Sequence, residues 1–127
     1  MAYIPKATIL LFLVALTCSE HIGNAKGSCQ LSDIHISQVV TGKVVEGQPQ
    51  FQVTIGNRCS CPQAEVMVSC FGLPSIGTVD KTKIHVVDSE LCSVANGLPI
   101  AKGSPVIFTY AKMTPQDFPV VSAKPRC

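Results

Sequence analysis

The side chains able to do chemistry in this 127-residue chain gather in residues 57–70, N-R-C-S-C-P-Q-A-E-V-M-V-S-C, which hold three of its seven cysteines. Thiols offer nucleophilic attack, metal ligation or disulfide formation. Cys59 and Cys61 are two apart, so in extended chain both point the same way, and a bond between them would close a very tight ring. Each needs a partner elsewhere. Of the four cysteines outside the stretch, Cys18 lies in the N-terminal apolar run and Cys29, Cys92 and Cys127 are spread over the rest of the chain, so the stretch is expected to be tied to its beginning, middle and end. A metal site is not expected, because the paired C-x-x-C or H-x-x-x-H spacing is missing. Asp33, His35 and Ser37 offer the three side-chain types of a hydrolase triad. On a strand, residues at i, i+2 and i+4 stand parallel, roughly 7 Å apart, whereas triad members converge. They are expected to form a solvated strand face.

Which thiol chemistry prevails depends on the compartment. Residues 1–6 carry one positive charge and run into A-T-I-L-L-F-L-V-A-L-T-C, the layout of a secretory signal peptide and shorter than the ~20 residues of a membrane span. Small residues at Gly23 and Ala25 predict cleavage before Lys26, with a cut between Cys18 and Ser19 as second choice. Removing residues 1–25 leaves 102 of 127 residues, 26–127, the length of one cysteine-rich domain. Cys18 is then gone, and Cys29, Cys59, Cys61, Cys70, Cys92 and Cys127 read as three disulfides of a secreted, extracellular protein. Six cysteines allow 15 pairings, and leaving out those with a Cys59–Cys61 bond keeps 12, among which the sequence does not choose. A chain this short buries a modest core and needs such staples.

The elements that must position these cysteines read as short strands. Ile34 and Ile36 alternate with Asp33, His35 and Ser37 up to a stop at Thr41-Gly42, and Val44-Val45 forms a second short piece closed by Gly47-Gln48-Pro49. Phe51, Val53 and Ile55 share one face before Gly56-Asn57; Val66, Val68 and Cys70 share another, with Glu65, Met67 and Ser69 opposite. Ile84 and Val86 alternate with Lys83 and His85. Asn96-Gly97 is a tight-hairpin signal, since both residues tolerate positive φ. Phe108 and Tyr110 share a face, and residues 118–123 form a last strand that Pro119 assigns to an edge. No helical period, repeat or low-complexity tract appears. The expected fold is all-β: a small antiparallel β-sandwich of six or seven short strands, stapled by disulfides.

The order of these fragments is also a resemblance. C-Q-L-S-D-I-H-I-S-Q, P-Q-F-Q-V-T-I-G-N-R-C-S-C, V-M-V-S-C-F-G, L-C-S-V-A-N-G-L-P-I and V-I-F-T-Y-A, with a closing cysteine, together resemble the tapetum determinant family of plant secreted cysteine-rich proteins. The similarity runs from Cys29 to Cys127, and the six cysteines are the residues it carries over. It implies a signalling protein of the apoplast, a ligand for a leucine-rich-repeat receptor kinase ectodomain that directs cell fate, as in anther and tapetum development.

Composition excludes most rivals. Residues 26–127 hold nine Lys and Arg against seven Asp and Glu, with no dense basic block for nucleic acid, and no span for membrane insertion. The carboxylates Glu65, Asp80, Asp88, Glu90 and Asp117 are scattered, giving no glycosidase pair. No enzyme activity and no cofactor are expected. A cell-wall carbohydrate-binding module is the alternative, since it too would be a small secreted sandwich. It would need flat aromatic platforms, yet there is no tryptophan, and Phe51 and Phe108 are expected in the core. No N-x-S/T acceptor occurs. The apolar loop bounded by Gly and Pro places Phe71, Leu73 and Ile76 as candidate receptor contacts, with plugging the end of the core as their other use.

Overall fold

The alternation of apolar and polar residues becomes seven strands in a computed structural model that describes residues 29–71, 73 and 79–127. The expected signal peptide, residues 1–25, and Ile76 lie outside the described residues. The strands are β1 (Ile34–Val45), β2 (Gln48–Asn57), β3 (Gln63–Ser69), β4 (Ile84–Val86), β5 (Leu91–Val94), β6 (Val106–Ala111) and β7 (Val120–Pro125). They make two antiparallel sheets, β1-β2-β6 and β4-β5-β3-β7. Between the sheets lies one core. Phe51, Val53 and Ile55 of β2 meet Val66, Val68 and Cys70 from the other sheet, with Val106, Phe108 and Tyr110 of β6 beside them. Burying β-branched and aromatic side chains on one face of each strand is what period-2 patterning achieves. Four rings knit the layer: Phe118 stands edge-on to Phe108 and Tyr110 at centroid distances of 5.6 and 5.5 Å, and Tyr110 lies 5.4 Å from Phe51. Such contacts add roughly 0.5–1.5 kcal/mol each beyond the area buried.

Four local expectations are corrected. Val44-Val45 is not a separate piece. The β1–β2 ladder resumes there after a shift in register between Val40 and Val44, where Gly42 takes φ of 92°, and the hairpin turns at Glu46-Gly47 with φ of 48° and 81°. Two successive positive φ values match the twist of the flanking strands. Val86 is exposed although Ile84 is buried, because β4 is an edge strand of a four-stranded sheet facing a three-stranded one. The last strand begins at Val120 rather than 118, leaving Phe118 to reach into the core; β7 is an edge, as Pro119 implies.

Asn96-Gly97 is the fourth. Ala95, Asn96 and Gly97 all have positive φ, but no hairpin follows. The chain keeps running antiparallel to β3: Ser93 pairs with Met67, and Ile100 bridges to Gln63. Four steps along β3 thus face seven along its partner, and residues 95–97 take up the excess as a 3-10 turn closed by Leu98 N–H to Ala95 O at 3.0 Å. Glu65, with φ of 51°, is the matching irregularity in β3. Local turn chemistry was read correctly there, but the neighbour was not, since pairing depends on residues far away in sequence.

Gly56 lies opposite His35 on β1, and a Cβ at Gly56 would stand 2.7 Å from His35 Cε1 and 2.9 Å from Nε2. The ring lies over bare backbone. Gly56→Ala is therefore expected to destabilise the fold by about 1–3 kcal/mol, as overpacking does. Adding His35→Ala should recover most of that loss, measured as a double-mutant cycle in urea denaturation.

Candidate functional site

Strand directions give the sandwich two ends of different character. At the first, β2 finishes and the chain crosses to β3 through residues 58–62. Backbone groups leaving a sheet lose their ladder partners and must be satisfied otherwise. Asn57, buried, does this with one carboxamide. Its Nδ2 donates to the carbonyls of Cys61 (2.8 Å) and Ile100 (2.9 Å). Its Oδ1 accepts from Cys59 N–H (2.9 Å) and from Gln63 Nε2 (3.1 Å). The i to i+2 bond to Cys59 is an Asx turn, the reason an asparagine suits a strand exit. Gln63, also buried, reaches the Gln30 carbonyl at 3.5 Å, while its backbone exchanges bonds with Ile100 at 3.1 and 2.8 Å. Arg58 N–H donates to Asp33 O at 2.8 Å, closing the corner on the N-terminal segment.

This frame aims the cysteines. The bonds are Cys29–Cys59, Cys61–Cys127 and Cys70–Cys92, with Cα–Cα distances of 5.6, 5.0 and 5.9 Å. Cys59 and Cys61 thus bind the corner to the start of the domain and to the end of β7. Cys70–Cys92 is buried and joins β3 to β5. The sulfurs of Cys29, Cys59 and Cys61 lie within 4.8 Å of one another, a spacing that could suit a metal. All three are committed to S–S bonds, and a bridged sulfur is not the thiolate that ligates. Asp33, His35 and Ser37 have separate engagements. Asp33 Oδ2 accepts from Gln30 N–H at 2.8 Å, His35 covers Gly56, and Ser37 is exposed opposite Thr54. Glu65 meets Lys124 and Arg126 of the tail at 3.4 and 3.3 Å, exposed pairs of little weight.

At the second end a different amide is the hub. Gln116, in the β6–β7 connection, donates through Nε2 to the Cys70 carbonyl (2.8 Å) and through its backbone N–H to Tyr110 Oη (2.9 Å). Tyr110 Oη donates to Gln38 Oε1 (2.6 Å), and Gln38 Nε2 donates to Gln116 O (2.5 Å). The ring of bonds links β1, β6 and the exit of β3. Burial pushes the Tyr110 phenol above its ordinary value; the Asp117 charge adds to this, and the hydrogen bonds from Gln116 and to Gln38 oppose it.

From Cys70 the chain enters the stretch that holds the candidate contacts. Phe71 is 63% exposed, whereas Leu73 is half-buried and packs against the core; Ile76 lies outside the described residues. Sequence reasoning missed other exposed apolar residues that strand direction brings to this end: Val40 and Val44 near the β1–β2 turn, Val87 after β4, and Met113 after β6. Their scatter through the sequence gave no local signal. Phe51, Phe108, Tyr110 and Phe118 are buried, so Phe71 is the one exposed aromatic among the described residues.

Comparison with known proteins adds a lineage to this geometry. A family model described as Tapetum determinant 1, C-terminal, matches residues 30–127, nearly all of the described domain. The chain belongs to the tapetum determinant family. It is similar to TPD1 protein homolog 1 of Arabidopsis thaliana, 33% identical over 85 residues that cover 65% of this chain and 48% of the relative. The chain thus spans about half the length of that curated relative. No solved structure matches. The tapetum determinant domain of this chain is a two-sheet scaffold stapled by three disulfides.

The two amide hubs have measurable consequences. Asn57→Ala strips partners from two carbonyls and two donors at a buried corner and is expected to cost at least about 2 kcal/mol in denaturant titration. For Tyr110, the folded state holds the phenolic proton more tightly than the unfolded chain does. The linked stability is complete below the unfolded value of 10.0 and is lost as pH rises through the folded one. Absorbance titration of a chain beginning at Lys26, whose single tyrosine is Tyr110, should place tyrosinate formation above 10.0.

Proposed function

We propose that this protein is secreted, loses residues 1–25, and acts outside the cell as a ligand for the ectodomain of a plant leucine-rich-repeat receptor kinase, in cell-fate specification such as that of the anther and tapetum. Family membership across residues 30–127 supports a tapetum-determinant role. Three disulfides suit an oxidising compartment. The observation that carries the ligand reading is the distribution of exposed apolar side chains. Phe71, Val40, Val44, Val87 and Met113 stand at one end of the sandwich, with Val44 at 70% and Met113 at 66% exposure. Loops clustered at one end of a rigid sandwich are a common recognition geometry, and a few apolar anchors supply most of the energy at such interfaces. The buried Cys70–Cys92 bond and the Gln116 hydrogen bond to Cys70 O fix the base of the Phe71 loop, which lowers the ordering cost of binding.

The test is binding of the purified, oxidised protein to candidate receptor ectodomains, run beside cell-wall glucan and pectin. Receptor binding in the nanomolar to micromolar range is expected, about −8 to −12 kcal/mol, and no retention by polysaccharide. Phe71→Ala with Met113→Ala should weaken receptor binding tenfold or more, roughly 1.4 kcal/mol, while leaving the melting temperature within error. Retention by polysaccharide without receptor binding would replace this reading with the carbohydrate-binding one.

A further inference from the structure

The three disulfides differ in their surroundings. Cys70 and Cys92 are both buried, shielded from any thiol in solution. Cys127 is exposed and follows the edge strand β7, and its partner Cys61 is half-buried. Cys61 is also a neighbour of the other corner bond. Its sulfur lies within 4.8 Å of both Cys29 and Cys59 sulfurs, and Cys29 Sγ lies 3.9 Å from the Cys61 carbonyl oxygen. The Asn57 carboxamide holds Cys59 N–H and Cys61 O through backbone groups, contacts in which no sulfur takes part.

We propose that residues 29, 59, 61 and 127 form a thiol-exchange site at which a small thiol of the glutathione class, or the exposed cysteine of a dithiol oxidoreductase, enters at Cys127 and swaps the partners of the corner cysteines. The incoming thiolate bonds to Cys127 Sγ, the Cys61–Cys127 bond breaks, and the electron pair leaves on Cys61 as thiolate. Cys61 then attacks Cys29 Sγ, forming Cys29–Cys61 and releasing Cys59 as thiolate. Attack on Cys59 instead would close the tight ring between residues two apart, so Cys29 is the productive target. Finally Cys59 attacks the mixed disulfide on Cys127, forming Cys59–Cys127 and returning the incoming thiolate. Three S–S bonds exist before and after, nothing is oxidised or reduced overall, and the thiol is a catalyst. The protein then has two oxidised forms with the same core and different stapling of its tail.

The experiment treats the oxidised chain, residues 26–127, with reduced glutathione, quenches samples with acid and a maleimide, and maps linkages after peptic digestion by tandem mass spectrometry. The expected products are a glutathione adduct on Cys127, maleimide on Cys59, and a Cys29–Cys61 linkage that persists, now beside Cys59–Cys127, once glutathione is removed. Opening of Cys61–Cys127 should be at least about tenfold faster than that of Cys70–Cys92, as exposure dictates. The variant Cys127→Ser, oxidised in air, should show Cys29 divided between Cys59 and Cys61. Maleimide confined to Cys61 and Cys127 with Cys29–Cys59 intact, or Cys70–Cys92 opening first, overturns the proposal. If the variant does not fold, the glutathione time course on the natural sequence decides alone.

Discussion

A strand leaving a sheet abandons its hydrogen-bond ladder, and in this molecule one carboxamide makes good the loss. Asn57 sits where β2 ends and the chain turns toward the opposite sheet, and it satisfies two carbonyls and one backbone N–H there while holding Gln63. Without it, the corner would bury several polar groups with no partner, each costing about 1–3 kcal/mol. The geometry of the cysteines depends on it too. Fixing Cys59 N–H and Cys61 O holds both sulfurs at the corner, where the Cys29 sulfur lies within 4.8 Å of each.

The disulfides and the core divide the work of holding a small protein together. The apolar layer between the sheets is filled by valines, isoleucines and four rings, and it contains Cys70–Cys92 as one more apolar contact. The other two bonds lie outside that layer and secure what it does not reach, the N-terminal segment and the tail of β7. Each closes a long loop, of 30 and 66 residues, which restricts the unfolded chain by roughly 3–4 kcal/mol in the loop-entropy account. This leaves the two ends unlike. One is a locked polar corner with half-buried sulfurs, and the other carries exposed apolar side chains on connections braced by Gln116.

Much of the fold was legible because alternation is a local signal. The faces Phe51-Val53-Ile55, Val66-Val68-Cys70 and Phe108-Tyr110 all turned inward as their spacing implied. The misreadings share a cause. Val86 alternates like a core residue but lies exposed on an edge strand, and Asn96-Gly97 has the φ values of a hairpin turn but serves as an excursion along β3. In both, the residue's own preference was read correctly and its neighbour was not. The candidate contacts were less legible still. Phe71 and Leu73 are two apart in one apolar run, yet one is exposed and the other packs on the core.

The sequence by itself determined the class of the molecule. Period-2 patterning required strands, the lack of helical periods required sheets packed on sheets, and six cysteines with a C-x-C pair required bridges to distant parts of the chain. Tertiary structure alone decided which cysteines paired, which end of the sandwich became apolar, and that Asn57, Gln63 and Gln116 would be the hubs. The reason is physical: propensity and alternation act over a few residues, whereas a disulfide or a buried amide is specified by groups that meet only after the two sheets have closed.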